Sequence, residues 1–174
     1  MLEELEKYIK ENMIVEPKES VFTNFLGSFK RSKYLNEEPL VEEDYSQAKS
    51  ISINEFVNQK ENYSDFQTLL FKFIDDRKLK DSDVYNKVHI DRRLFSKIRS
   101  DKDYHPSKET IILLGLSLEL SEKEIEELLE SASYTLPKNN YFDLIIRFCF
   151  INKIFKLTDV NDLLSEYDCK LFNY

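Results

Sequence analysis

Two glycines and four prolines in 174 residues leave this chain little choice of fold. A sheet protein of this length needs many tight turns, and tight turns lean on glycine and proline. Helices joined by few breaks need neither, so the sequence predicts an all-α chain. Its 13 Phe and 10 Tyr can build a dense core without tryptophan, which is absent. With hydrophobic residues at 41% and charged residues at 33%, the composition is globular rather than disordered. The length suits one compact domain, or a small domain with an added arm.

The start, MLEELEKYIKEN, is acidic and amphipathic. It lacks the basic start, apolar stretch and small-residue cleavage site of a secretory leader. The longest apolar run surrounds residues 144–151, is interrupted by Arg147, and is far too short to span a membrane. Cys149 lies in that run and reads as a reduced buried thiol, with a disulfide or a nucleophile as alternatives. Neither Cys149 nor Cys169 has CxxC spacing or a histidine pair nearby, and reduced thiols suit the expected cytoplasmic location.

Helical periodicity divides the chain. Leu2, Leu5 and Ile9 share one face of a first helix over 2–12. Residues 20–34 repeat the pattern and end on Lys30, Arg31 and Lys33. Residues 36–50 are acidic and aperiodic, which predicts a linker or extended arm. Ser52 and Glu55 suggest a capping box for a short helix over 52–60. From Phe66 the signal sharpens. Phe66, Leu69, Leu70, Phe73 and Ile74 form one stripe. Asp81 or Ser82 would cap a short helix carrying Val84 and Val88. Asp91 would cap the next, RRLFSKIRS, with Leu94, Phe95 and Ile98 inward. Ser107 caps a fourth helix with Ile111, Leu114 and Leu118 inward. Ser121 and Glu124 form a capping box before Ile125, Leu128 and Leu129. YFDLIIRFCFINKIF (141–155) is apolar nearly all round and predicts a helix central to the core or part of an interface. A last helix starts near Thr158.

The net charge of −8 is unevenly spread. Residues 1–65 carry 8 basic and 14 acidic side chains, and residues 109–174 carry 6 and 12. Residues 80–108 carry 8 basic and 5 acidic. Arg92, Arg93, Lys97, Arg99 and Lys102 fall together there, a candidate contact for phosphates or bases, for an acidic protein surface, or simply a solvated face. The acidic N-terminal third predicts a further possibility, that it folds over the basic helix and masks it.

Catalytic chemistry has no foothold in the motifs. Gly27 and Gly115 are isolated, so no glycine-rich phosphate loop exists, and no GxSxG, HExxH or CxxC occurs. Glu122, Glu124, Glu126 and Glu127 read as an exposed helix face. His89 and His105 are the only histidines, and D-K-D-Y-H around His105 is a weak metal pattern. The sequence predicts no enzyme, metal or cofactor, and takes Tyr104 as a packed loop plug.

The stretch LKDSDVYNKVHIDRRLFSKIRSDKDYHPSKETIILLGLSLEL, residues 79–120, resembles the helix-turn-helix of phage-repressor or Xre-like proteins. The match includes Leu79, Val84, Val88, Ile90 in the turn, Ser96 and Ile98, and Pro106–Ser107 opening the next helix. More narrowly, IDRRLFSKIRSDKDYHPSK is similar to a signature of a group of bacterial proteins, and that similarity runs on through FDLIIRF to the C-terminus. The resemblance implies a lambda-repressor-like helix-turn-helix bundle of five helices over about 66–131. The expected organisation is an acidic helical arm and linker (1–62), the repressor-like unit (63–134) and a helical extension packed on it (135–174).

The resemblance also implies a non-enzymatic, DNA-binding transcriptional regulator. Arg92, Arg93, Ser96 and Lys97 would face bases in the major groove, and Arg99 and Lys102 would sit near the backbone. A homodimer on paired half-sites follows, with Phe142, Ile146 and Phe150 as the candidate interface. Three positions depart from the family pattern. Asp81, Ser82 and Asp83 open the second helix, where a neutral or basic group usually meets a phosphate. Tyr85 replaces a small residue at the approach of the second and third helices. His89 stands where glycine is expected in the turn. These departures suit the alternative, an adaptor or inhibitor in a bacterial or phage conflict system, anti-CRISPR or antitoxin-like, that binds protein through a repurposed fold and an acidic surface.

Overall fold

The computed structural model describes residues 1–14 and 65–173, which belong to one compact unit. The sequence-predicted helices over 20–34 and 52–60, the linker over 36–50 and the masking arm lie outside the described residues. Among the described residues there are eight helices and no strand. They are α1 (Leu2–Asn12), α2 (Phe66–Asp76), α3 (Asp81–Lys87), α4 (Arg92–Ser100), α5 (Lys108–Ser117), α6 (Glu122–Ser131), α7 (Tyr141–Ile151) and α8 (Leu157–Ser165).

Polar side chains start most of them. Asp65, Asp91, Ser107 and Asn140 each accept a backbone N–H in the first turn of α2, α4, α5 and α7. Ser121 and Glu124 close the capping box of α6 that the sequence predicts. The expected cap of α3 is different. Asp81 is the first residue of the helix, Lys80 is its N-cap, and no side chain bonds the free amides.

Six of the eight described helices stop in the same way, α1 and α4 end on extended residues, and none uses glycine. Lys78, His89, Glu119, Ser133, Lys153 and Asp168 all adopt left-handed φ between 51° and 60°. In each case the next N–H reaches back into the last turn, as in Leu79 to Ile74, Ile90 to Tyr85, Leu120 to Gly115 and Ile154 to Cys149. This is the Schellman stop, and an apolar residue follows it at every site but Cys169. Its strain is a reserve of stability, since a side chain costs about 1–2 kcal/mol in this conformation. Ser133 is exposed at one such stop. Ser133→Gly is expected to raise the unfolding free energy by about 0.5–1 kcal/mol, and Ser133→Val to lower it by about 1–2 kcal/mol. Chemical denaturation of both variants checks this.

The core runs through α5, α6 and α7. Ile111, Ile112, Leu114 and Leu116 of α5 are fully buried, so this helix is surrounded rather than lying on a surface along one stripe. Gly115 makes the close approach possible. A Cβ there would lie 2.5 Å from Ile125 Cδ1 and 3.2 Å from Phe150 Cζ. α7 is shorter than the apolar run predicts. It ends at Ile151, because Lys153 turns left-handed and Ile154 folds back onto the core. α1 packs on α7 through Leu5, Ile9 and the Tyr8–Phe148 ring pair at 5.5 Å. Residues 1–14 belong to the same compact unit as residues 65–173.

Buried polar groups join the helices in pairs. Lys108 Nζ on α5 meets the Asp143 carboxylate on α7, which is 5% exposed and also accepts from the Asn140 amide. Arg147 on α7 bridges Glu122 and Glu126 on α6 and donates to the Leu136 carbonyl. Burial pulls the Arg147 pKa down, but the two carboxylates outweigh it and hold it above its ordinary value. Arg77 on α2 pairs with Glu124 at 2.8 Å. Glu122, Glu124 and Glu126 are thus partnered joints between helices, and the sequence reading of an exposed acidic face needs that correction.

Candidate nucleic-acid interface

The geometry of the basic helix starts with its anchors. α4 turns Phe95 and Ile98 inward, each 2% exposed. Phe95 meets Tyr85 of α3 at 5.5 Å and the edge of Phe71 of α2 at 6.1 Å between ring centroids. Gln67 donates to the carbonyls of Ile98 and Asp101, so α2 also holds the C-terminal end of α4. Asp91 accepts from the Arg93 and Leu94 amides at the other end. Between α3 and α4 the chain turns at His89, whose φ of 56° is the left-handed conformation for which glycine was expected. Tyr85 is half-buried and forms part of the contact between α3 and α4 through Phe95.

With the apolar side committed, the polar side faces out. Arg92, Arg93, Ser96, Lys97, Arg99 and Lys102 are all exposed. Of the six, Arg92, Ser96 and Arg99 line one groove, and the six are not equivalent. Arg99 pairs with Asp81 and lays its guanidinium over the Phe71 ring, 4.0 Å from the centroid. Lys97 Nζ sits 4.4 Å above the Tyr104 ring, so the expected loop plug also steers a cation. Arg92, Arg93 and Lys102 make no ion pair among the described residues. Of the other cations in the 80–108 segment, Lys87 is bound to Glu119 and the Ser117 carbonyl, and Lys108 to Asp143.

Beside α4 runs a groove of about 410 Å³ lined by Lys80, Asp81, Ser82, Tyr85, Arg92 and Arg99, with Phe95 and Ser96 on its α4 side. Lys80, Asp81, Ser82, Tyr85 and Phe95 are the members that the sequence did not assign to the site. Their place beside Arg92 depends on how α3 docks on α4, which local pattern does not carry.

The proposed interface on α7 falls inside the chain instead. Ile146 is fully buried and Phe150 is 2% exposed, packed towards Gly115 and the Phe155 ring. Phe142 is half-buried against Phe172, with 5.9 Å between ring centroids. The last strand of coil is drawn over this side because Asn161 exchanges two 2.9 Å bonds with the Phe172 backbone. Ile146 and Phe150 are core residues, and the exposed apolar members of the run are Tyr141 and Ile151.

Other chemically distinctive groups are also accounted for. His105 Nε2 lies 2.8 Å from the Ala132 carbonyl, with its ring against Tyr134. Burial pushes the Cys149 thiol up to about 12, which suppresses the thiolate. Among the described residues no three His, Cys, Asp or Glu side chains gather in a metal-binding group, and no helix is long and apolar enough to cross a membrane.

Comparison with protein-family models, with curated proteins and with solved structures gives no significant match.

Proposed function

We propose that α3, its left-handed turn and α4 act as a helix-turn-helix of the phage-repressor type within a lambda-repressor-like bundle. On this reading the chain is a non-enzymatic DNA-binding transcriptional regulator working in the cytoplasm. The observation that carries it is the state of three exposed cations. Arg92, Arg93 and Lys102 form no ion pair among the described residues, and Lys102 makes a longer-range electrostatic contact with Asp65. Exposed cations without a close internal partner, on α4 and just after it, suit an external polyanion.

The division of labour follows from position. Arg92, Arg93, Ser96 and Lys97, spaced along the outer face of α4, reach towards base edges in a major groove. Lys102 and Lys80 flank that face and suit phosphates. Arg99, tied to Asp81 and Phe71, orients α4 against α3 and α2. Two copies on paired half-sites would add the affinity that one nine-residue helix lacks, through a surface other than the buried α7 face.

A gel-shift titration with a random-sequence duplex at low salt tests this reading. The expected result is binding in the micromolar range or tighter, lost as salt rises. The second reading, a protein-binding adaptor or inhibitor, is favoured by exposed Asp83 beside the cationic face and by the net charge of −8. It expects no duplex binding, with substitution of Arg92 and Arg93 disrupting a protein complex instead.

A further inference from the structure

Among the described residues Arg99 is the one cation of α4 with an ion-pair partner, and that anion stands where the sequence departs from its resemblance. The guanidinium carbon lies 4.0 Å from the centroid of the Phe71 ring while Nη2 meets the Asp81 carboxylate. Both partners are well exposed, with side-chain exposures of 49% and 37%. Ion pairs this open are weak and exchange readily with other ions. The ring contact does different work. It holds the guanidinium beside the groove independently of Asp81. The same groove holds Lys80, Arg92 and three hydroxyl-bearing residues, Ser82, Tyr85 and Ser96. Its walls are thus suited to an oxyanion with several acceptors, and Asp81 supplies the only carboxylate among the lining residues.

We propose that Asp81 is an internal stand-in for a DNA phosphate on Arg99 and thereby sets the affinity of the α4 face. This rests on the DNA-binding reading and deepens it. Binding has two routes. A phosphate displaces the Asp81 carboxylate from Arg99, or Arg99 stays paired and contributes nothing. In both cases the chain binds more weakly than its count of exposed cations implies, which lowers its hold on arbitrary DNA more than on a site with good base contacts. The acid that departs from the DNA-binding pattern becomes the attenuator of binding.

The test is a set of full-chain variants titrated with a random duplex over a range of salt. Asp81→Asn is expected to tighten binding about tenfold, and to steepen the slope of log affinity against log salt by about one phosphate contact. Asp83→Asn removes the same charge from an exposed side chain that no cation holds, and should tighten binding less than about threefold. In an Arg99→Ala background, Asp81→Asn should gain no more than Asp83→Asn does. Asp81→Ser, with circular dichroism to follow helix content, repeats the measurement with a residue that also tolerates a helix start. Equal gains from Asp81→Asn and Asp83→Asn would overturn the proposal, as would a tenfold gain that survives loss of Arg99. Those outcomes leave the DNA reading intact. Absence of duplex binding by both the wild type and Asp81→Asn overturns that reading, and this one with it.

Discussion

Phe150→Ala is expected to lower the unfolding free energy by about 3–5 kcal/mol. The residue is 2% exposed and its ring tip points at Gly115, the position where α5 has no side chain to meet it. Truncation therefore opens a cavity that the neighbours cannot fill. Ile125 already crowds Gly115, and Phe155 has its own ring contact to lose. Urea denaturation measures the loss. Sedimentation velocity on the folded fraction should show the same oligomeric state as the wild type, because Phe150 works inside the chain. A dissociated oligomer of unchanged stability would return Phe150 to the interface role read from the sequence. Phe150→Leu keeps most of the volume and should cost no more than about 1.5 kcal/mol.

The Arg92→Ala/Arg93→Ala double variant is expected to weaken duplex binding on the order of a hundredfold, with stability unchanged within about 0.5 kcal/mol. Neither side chain carries an internal ion pair among the described residues, and α4 keeps its Asp91 cap and its Phe95 and Ile98 anchors. Loss of binding thus cannot be ascribed to loss of the helix. Isothermal titration beside a thermal melt separates the two effects. Normal duplex affinity in the double variant would remove α4 from the site.

The sequence made the helices legible through two signals that both survive in three dimensions. One is the inward stripe, as in Phe66, Leu69, Leu70, Phe73 and Ile74, all buried in α2. The other is the polar cap, as in Asp91, Ser107 and the Ser121–Glu124 box. Helix ends were harder to read. Glycine usually announces a left-handed stop, but this chain uses Lys, His, Glu, Ser and Asp there. The run 141–155 consequently looks continuous, although Lys153 breaks it. Periodicity also fails where a helix is enclosed, which is why α5 read as a stripe and why the pattern of α7 left core and interface open as alternatives.

The candidate site was legible as composition. Five cations within eleven residues mark α4 without any coordinates. Their separation into paired and unpaired groups was not, because Arg99 and Asp81 are 18 positions apart. The same holds for Glu122 and Glu126, whose partner Arg147 lies on another helix. Long-range pairing depends on how helices dock, and local pattern does not encode it.

The central claim is that the outer face of α4 neutralises DNA phosphates, and the salt dependence of duplex affinity addresses it most directly. Fluorescence anisotropy of the full chain with a labelled random duplex should give log affinity falling linearly with log salt. With two to four phosphates met per chain, the slope should lie between about −2 and −4, or about 0.9 for each contact. A slope near zero, or no binding at the lowest salt, would contradict the account.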